Sequence, residues 1–399
     1  MKTPFLPLPL GFSASGVHAG LKKSGKKDMA LFFSRVPAAA AGMVTVNRVK
    51  AAPARHTEKT LKAGRKIQAI AVNTKFANAL TGLQGERDVL ETVKTASKLL
   101  KIPASSVLAH STGVIGVPLP MKKIKRGLRA CVLSLSRAGA MDAAEGILTV
   151  DTFPKTTARP ISLGGKTAWL TGIAKGSGMI HPNMATMLVY LLTDANVPGD
   201  ALKRALREAV GQSFHRIMTE GDSSTNDSVV LLANGACGNP PLKLGSKDAK
   251  AFFGAVREVC LELAKLIVLD GEGATKFVTI TVKGARSATE ANQAAKAVAI
   301  SPLVKTALYG ADPNWGRILM AVGNSGCRVD EFKAKVEAGG YLLYNGGKKV
   351  TWARKRLKEI FSKKEIVLSV DLGLGKGGAT VYTCDMSEEF IRLNSRYTT

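Results

Sequence analysis

Thr186 is the residue whose surroundings point most directly to chemistry. It follows the stretch KGSGMIHPNMA (175–185), which contains two glycines and a rigid proline, and it precedes the apolar run MLVYLL. Glycines permit tight turns and the close approach of a ligand, and a continuous apolar run is typical of a buried strand. The pattern predicts a loop that leads into a strand, with Thr186 at the junction.

A threonine at such a junction can act as a nucleophile. If the bond between Ala185 and Thr186 is cut, the new α-amine lies beside the threonine Oγ, and this pair is a known combination of nucleophile and base. Most threonines at a loop-to-strand junction are instead caps or strand formers. The local pattern alone leaves both interpretations open.

The segment Ser111–Gly113 is a second chemical feature, because a small residue beside a glycine lets a backbone N–H point into a cavity and stabilise an oxyanion. Asp222, Asp227 and Asp312 suggest magnesium, but they lie in turn-forming segments where Asp and Asn satisfy backbone donors. No two of the five histidines have i, i+4 spacing, and the five scattered cysteines form no CxxC pair. We therefore predict no metal site, no disulfide framework and a reducing, cytoplasmic compartment.

The length and composition are those of a globular protein with a large core. The chain has 399 residues, of which 45% are hydrophobic and 22% are charged. No apolar run reaches the roughly 18 residues that a membrane-spanning helix needs. The N-terminus has no charged start followed by an unbroken apolar segment, so it does not resemble a signal peptide.

The net charge of +27 is unusual for an enzyme of small molecules. Residues 1–185 hold 28 of the 57 basic residues but only 8 of the 30 acidic residues. Such a surface can attract nucleic acid or an anionic membrane. However, aromatic residues are only 6% and do not alternate with the basic runs, and no nucleic-acid-binding motif is present. We interpret the charge as a solvated surface that can also steer anionic metabolites.

Hydrophobic periodicity predicts an α/β protein without a clean domain break. The predicted strands are 29–34, 66–75, 187–195 and 277–283, with further strands around the glycine-rich LGLGKGGA in 365–399, and the predicted helices are 85–102, 121–136, 200–218, 248–268 and 287–300. The composition of the last residues, 394–399, is that of a disordered tail.

Eight stretches together resemble one family. They are VPAAAAGMVTVNRVKAAP (36–53), STGVIG (111–116), VDTFPK (150–155), KGSGMIHPNMATML (175–188), EGDSSTNDSVVLLANG (220–235), DGEGATK (270–276), SPLVKTALYGADPNWGRI (301–318) and TCDMSEEFIRLNSRYTT (383–399). The family is the glutamate N-acetyltransferase/ornithine acetyltransferase family of arginine biosynthesis, and the resemblance covers nearly the whole chain. The high net charge is its main departure from that family.

The resemblance implies an α/β fold, a layered α/β sandwich similar to, but topologically distinct from, that of N-terminal-nucleophile hydrolases. It implies self-cleavage into an α fragment (1–185) and a β fragment (186–399), which together form one compact catalytic unit. It also implies a heterotetramer of two α and two β chains.

The resemblance also implies roles for individual residues. Thr186 would be the nucleophile that is exposed by cleavage after Ala185, and Thr112 and Gly113 would form the oxyanion hole. The implied substrate-binding residues are Thr152, Lys175, Thr186, Glu272, Asn394 and Thr399. The chemistry agrees, since Lys175 suits a substrate carboxylate and Glu272 suits an amine.

The implied reaction is a ping-pong transfer of the acetyl group from N2-acetylornithine to glutamate, without a metal or a tightly bound cofactor. Acetyl-CoA is a possible second donor, for which we expect slower or absent transfer. One alternative function is an amidase or other hydrolase on the same self-cleaving scaffold. The other is a basic nucleic-acid-binding protein, which the charge alone suggests.

Overall fold

The structure, a computed structural model, describes residues 6–180 and 187–396. Its strands form two sheets. The strands of the larger sheet are β1 (Phe12–Val17), β2 (Met29–Val44), β3 (Ile67–Asn73), β4 (Val107–Ser111), β5 (Lys155–Leu163), β6 (Lys166–Lys175), β7 (Leu188–Thr193) and β8 (Ser228–Ala233). Those of the smaller sheet are β9 (Phe277–Ala285), β10 (Lys335–Ala338), β11 (Tyr341–Asn345), β12 (Glu365–Asp371) and β13 (Gly377–Cys384).

Helices cover both sheets. They are α1 (Ala52–Lys62), α2 (Gly82–Leu100), α3 (Met121–Leu133), α4 (Ala140–Gly146), α5 (Gly199–Gln212), α6 (Lys247–Leu269), α7 (Ala288–Ile300), α8 (Pro302–Tyr309), α9 (Trp315–Gly323), α10 (Arg354–Phe361) and α11 (Glu388–Arg396). Ser246, Ser287 and Ser301 cap α6, α7 and α8, because each side chain accepts a hydrogen bond from a backbone N–H of the first turn.

The larger sheet has the strand order β4-β3-β2-β8-β7-β6-β5, and β1 also pairs with β2. The long strand β2 joins its two halves. The first part of β2 pairs with β1 and β3, the last part pairs with β8, and the register shifts between Phe33 and Ala38. The two halves of the sheet therefore lie on either side of an irregularity in β2.

Alternate residues of the strands build three stacked cores. In β3, Ala69 and Ala71 pack against α2 and α3, whereas Ile70 points to the other face. There Ile70 shares a core with Tyr190 of β7, while Val189 of β7 packs with α5 and α6. The layers are thus α2 and α3, the half of the larger sheet that contains β3, the half that contains β7, and then α5 and α6. This order confirms the predicted layered α/β sandwich.

The smaller sheet has the strand order β11-β10-β12-β9-β13 and its own apolar core with α7, α8, α9 and α10. A bridge between Ile217 and Tyr382 of β13 connects it to the segment after α5. Cys384, at the end of β13, packs into the core formed with α5 and α6. The two sheets therefore meet near the end of β13.

The predicted helices and strands occur, with ends that differ by a few residues, except that the predicted strands of 365–399 are only β12 and β13 and are followed by helix α11. The hairpin of β5 and β6 was not predicted. Its turn at Gly164 and Gly165, with φ of 54° and 76°, is the signal that could have revealed it. The expected disorder of residues 394–396 is wrong, because these residues belong to α11. None of the described helices is long and apolar enough to cross a membrane.

Candidate active site

One cavity, of about 220 Å³, gathers most of the residues that the sequence singles out. Those that line it are Thr112, Gly113, Lys175, Glu272 and Asn394. They come from the end of β4, the end of β6, the segment after α6 and helix α11. Residues far apart in the chain therefore meet at one place.

Lys175 places a buried positive charge at this cavity. Its side chain is only 2% exposed, and its Nζ lies 3.4 Å from Thr112 Oγ1 and 4.0 Å from a carboxylate oxygen of Asp151. Burial lowers the pKa of the Lys175 ammonium group, and the Asp151 carboxylate opposes that shift. The ion pair with Asp151 is a long one, at 4.0 Å, and Lys175 lines the cavity, so an anionic ligand in the cavity could approach the ammonium group.

Asp151 is held by a second buried lysine. Lys155 Nζ lies 2.8 Å from one Asp151 oxygen and also contacts Asp270, and all three side chains are at most 2% exposed. Although burial opposes it, the Lys175 and Lys155 charges hold the pKa of Asp151 below its usual range. Lys155 is consequently occupied within the protein, whereas Lys175 faces the cavity.

Thr112 and Gly113 extend beyond β4 beside residues 73–75. The N–H of Thr112 donates to Asn73 O, and the N–H of Val114 donates to Lys75 O. The N–H of Gly113, between them, makes no hydrogen bond to another described residue. Gly113 has φ +133°, and an added Cβ would lie 2.3 Å from the carbonyl carbon of Lys75. Only glycine fits this backbone, and this glycine lines the cavity.

Glu272 and Asn394 form the opposite part of the site. Asn394 Nδ2 donates to Glu272 Oε2 at 2.8 Å, so helix α11 contributes to the cavity. A Cβ at Gly178 would lie 2.5 Å from Glu272 Oε1, so the absence of a side chain there lets the carboxylate approach.

Thr152 lies apart from these residues. Its backbone N–H and hydroxyl both donate to the Asp270 carboxylate. It lines a smaller neighbouring cavity, which shares Val150 and Glu272 with the first. Ala185, Thr186 and Thr399 lie outside the described residues. However, Leu188, two residues after Thr186 in the chain, is the cross-strand partner of Lys175.

The segment EGDSSTND was not predicted to belong to the site, but five of its residues line the cavity: Glu220, Asp222, Ser224, Thr225 and Asn226. Glu220 lines the cavity directly. Asn226, also a lining residue, donates from Nδ2 to the carbonyls of Ala77 and Ser111 and so fixes the position of the strand end before Thr112. Asp227 accepts from the N–H of Met187 at 2.8 Å, and burial raises its pKa well above the usual range. The only sequence signal was a run of polar residues immediately before a buried strand.

The comparisons with known proteins agree with this assembly. The sequence model of the ArgJ family matches residues 13–399. The arginine biosynthesis bifunctional protein ArgJ of Symbiobacterium thermophilum is 46% identical over 393 residues, which is 98% of each chain. The protein of the same name from Geobacter sulfurreducens is 47% identical over 390 residues, which is 98% of this chain and 99% of the relative.

A solved structure is also similar. The crystal structure of the arginine biosynthesis bifunctional protein ArgJ from Bacillus halodurans is 36% identical, with a TM-score of 0.50. The match covers 51% of this chain but 96% of that chain. The chain therefore belongs to the ArgJ family of enzymes, as its motifs predict.

Proposed function

We propose that this protein transfers the acetyl group of N2-acetylornithine to glutamate through an acetyl group carried on Thr186. The observation that carries the proposal is the cavity in which Thr112, Gly113, Lys175 and Glu272 meet beside the start of β7, the strand that Thr186 precedes. Membership of the ArgJ family supports the same reaction, since the relatives are named as bifunctional proteins of arginine biosynthesis.

The proposed chemistry balances without a metal or a bound cofactor. Thr186 Oγ attacks the acetyl carbon, its proton passes to the α-amine of Thr186, and the oxyanion accepts hydrogen bonds at Thr112 and Gly113. The amide C–N bond then breaks, the proton moves to the leaving nitrogen, and ornithine departs. The α-amine of glutamate then attacks the acetyl ester and gives a proton to the α-amine of Thr186. The ester C–O bond breaks, and that proton returns to Thr186 Oγ.

Lys175 suits the α-carboxylate that both substrates carry. Its ammonium group is desolvated, faces the cavity and lies 4.0 Å from its nearest described carboxylate oxygen. A carboxylate that replaces water there gains a charge-assisted hydrogen bond in a region of low dielectric constant.

We propose that the nucleophile is exposed by cleavage between Ala185 and Thr186. The solved Bacillus halodurans chain supports this. The match covers 96% of that chain but only 51% of this one, whereas the relative from Symbiobacterium thermophilum matches 98% of this chain. One fragment of a protein cut near its middle has this length. The α2β2 heterotetramer and the cytoplasmic location stay predictions, and none of the site residues that the structure describes favours nucleic-acid binding.

A comparison of acetyl donors tests the proposed reaction. Purified enzyme should form N-acetylglutamate rapidly from glutamate and N2-acetylornithine, and slowly or not at all from glutamate and acetyl-CoA. Mass spectrometry of the products distinguishes the outcomes. Comparable rates from acetyl-CoA would refute the ranking of donors. Absence of N-acetylglutamate with both donors would refute the transferase, and release of acetate without glutamate would favour the hydrolase.

Gly113→Ala should impair transfer strongly, because its Cβ cannot fit against the Lys75 carbonyl without moving the backbone donor. Loss of one oxyanion donor typically lowers kcat by about a hundredfold or more. Gly116→Ala is the matched control, since Gly116 also has a positive φ, +80°, but its added Cβ meets no atom within 4 Å. Equal kcat values for the two variants would contradict a role for Gly113 in the oxyanion hole.

A further inference from the structure

The two substrates of the proposed reaction carry opposite charges at the ends of their side chains. With the acetyl group and the α-carboxylate in fixed positions, the side chains of ornithine and glutamate extend into the same region. One ends in an ammonium group and the other in a carboxylate. A site with a fixed charge would bind one of them and repel the other.

The cavity contains a second carboxyl group near Glu272 that the reaction does not otherwise use. Glu220 lines the same cavity as Glu272, and both of its described hydrogen bonds, from the Thr219 hydroxyl and the Ile180 N–H, go to Oε2. Burial raises the pKa of Glu220, and the negative charge of Glu272 acts in the same direction. The bonds from Thr219 and Ile180 and the charge of Lys305 oppose the shift.

Among the described residues, few positive charges act on Glu220, although the chain as a whole is strongly basic. The described titratable groups that interact with it include Glu272 after α6, Lys305 of α8 and Cys384 at the end of β13, and Lys175 and Asp222 also line the cavity. Lys305 is engaged with Thr383 Oγ1 and the Cys384 carbonyl, and Lys175 is assigned to the α-carboxylate. A buried carboxyl group beside another carboxylate tends to keep its proton.

We propose that Glu220 and Glu272 form a subsite for the side-chain end of the substrate, and that Glu220 adapts the subsite to either charge by keeping or losing one proton. With ornithine or N2-acetylornithine, Glu220 loses its proton to solvent and contacts the ammonium group beside Glu272. With glutamate, Glu220 keeps its proton and donates a hydrogen bond to the substrate carboxylate. The proposal rests on the proposed function and adds Glu220 as a residue that determines specificity.

Proton counting by calorimetry tests the subsite in the wild-type enzyme. Ornithine and glutamate each bind without turnover when no acetyl donor is present, so binding heats can be compared in buffers of different ionisation enthalpy. The glutamate complex should hold about one more proton than the ornithine complex. Raising the pH should correspondingly strengthen ornithine binding relative to glutamate binding. Equal proton counts for the two ligands would overturn the proposal, even if the variants below failed to fold.

Glu220→Gln removes the charge but keeps a hydrogen-bond donor. It should raise KM for N2-acetylornithine by about tenfold or more, while KM for glutamate changes by less than about twofold. The proton difference between the ligands should also disappear. Glu258→Gln is the matched control, because Glu258 is exposed on α6 and does not line the cavity.

The possible failures are distinguishable. If the wild type transfers acetyl groups but Glu220→Gln leaves both KM values and the proton difference unchanged, the subsite is wrong and the proposed function stands. If the two KM values rise equally, Glu220 only supports the backbone near Ile180. If the wild type does not transfer acetyl groups from N2-acetylornithine, the proposed function itself fails.

Discussion

Thr186→Ala should leave the protein as one uncut chain and lower acetyl transfer by about a thousandfold or more, because it removes the hydroxyl that we propose as the nucleophile in both reactions. Freshly purified wild-type protein should instead give two fragments, residues 1–185 and 186–399. Intact-mass spectrometry measures both results directly. The wild-type β fragment should also gain the mass of one acetyl group when N2-acetylornithine is added without glutamate.

Two variants make this test specific. Thr186→Ser keeps a hydroxyl and should retain part of both activities, which separates loss of the nucleophile from damage to the fold. Thr351→Ala changes an exposed threonine outside the cavity and should behave as wild type. Wild-type protein that is fully active with an intact bond between Ala185 and Thr186 would rule out the cleavage mechanism.

Lys175→Met should have the second-largest effect. Loss of one partner of a desolvated charged contact commonly costs about 2–5 kcal/mol, so kcat/KM should fall by about thirtyfold or more. Stability should fall much less, because Asp151 keeps its contact with Lys155 at 2.8 Å. Steady-state kinetics and urea unfolding, measured on the same preparation, check the two parts of this prediction.

Lys155→Met is the informative comparison, since both lysines are buried beside the same aspartate. It would leave Asp151 and Asp270 without their shared partner, and breaking such a buried pair typically costs about 3–5 kcal/mol of folding stability. We therefore expect Lys155→Met to lower mainly the folding stability and Lys175→Met to lower mainly kcat/KM. The opposite result would show that Lys175 is structural and that another group binds the substrate carboxylate.

Local patterns were sufficient to predict most of the elements that surround the site. Apolar positions at three- and four-residue spacing predicted α2, and the unbroken apolar run after Thr186 predicted β7. The hairpin of β5 and β6 was not predicted, because Arg159 and Pro160 interrupt its apolar positions. Helix α11 was not predicted, because it contains no buried residue and its last residues have the composition of a disordered tail.

The assembly of the site could not be predicted from local patterns, because its contacts join distant segments. Asn394 and Glu272 are 122 positions apart, and Lys155 and Asp270 are 115 apart. Lys175 and Glu272 were named through the family resemblance, which carries such long-range information. Glu220 was missed because neither its local pattern nor the resemblance distinguished it from a turn residue.

The strand order of the larger sheet has a consequence for how a cleaved protein behaves. β7 and β8, which follow residue 186, lie between β2 and β6, which precede residue 185. A cut there leaves two chains that share one hydrogen-bonded sheet, so they do not separate while the protein is folded. Unfolding, however, turns one particle into two, and its midpoint then depends on protein concentration through mass action. A cut made after folding would therefore convert a reversible unimolecular unfolding process into one whose reversal is bimolecular.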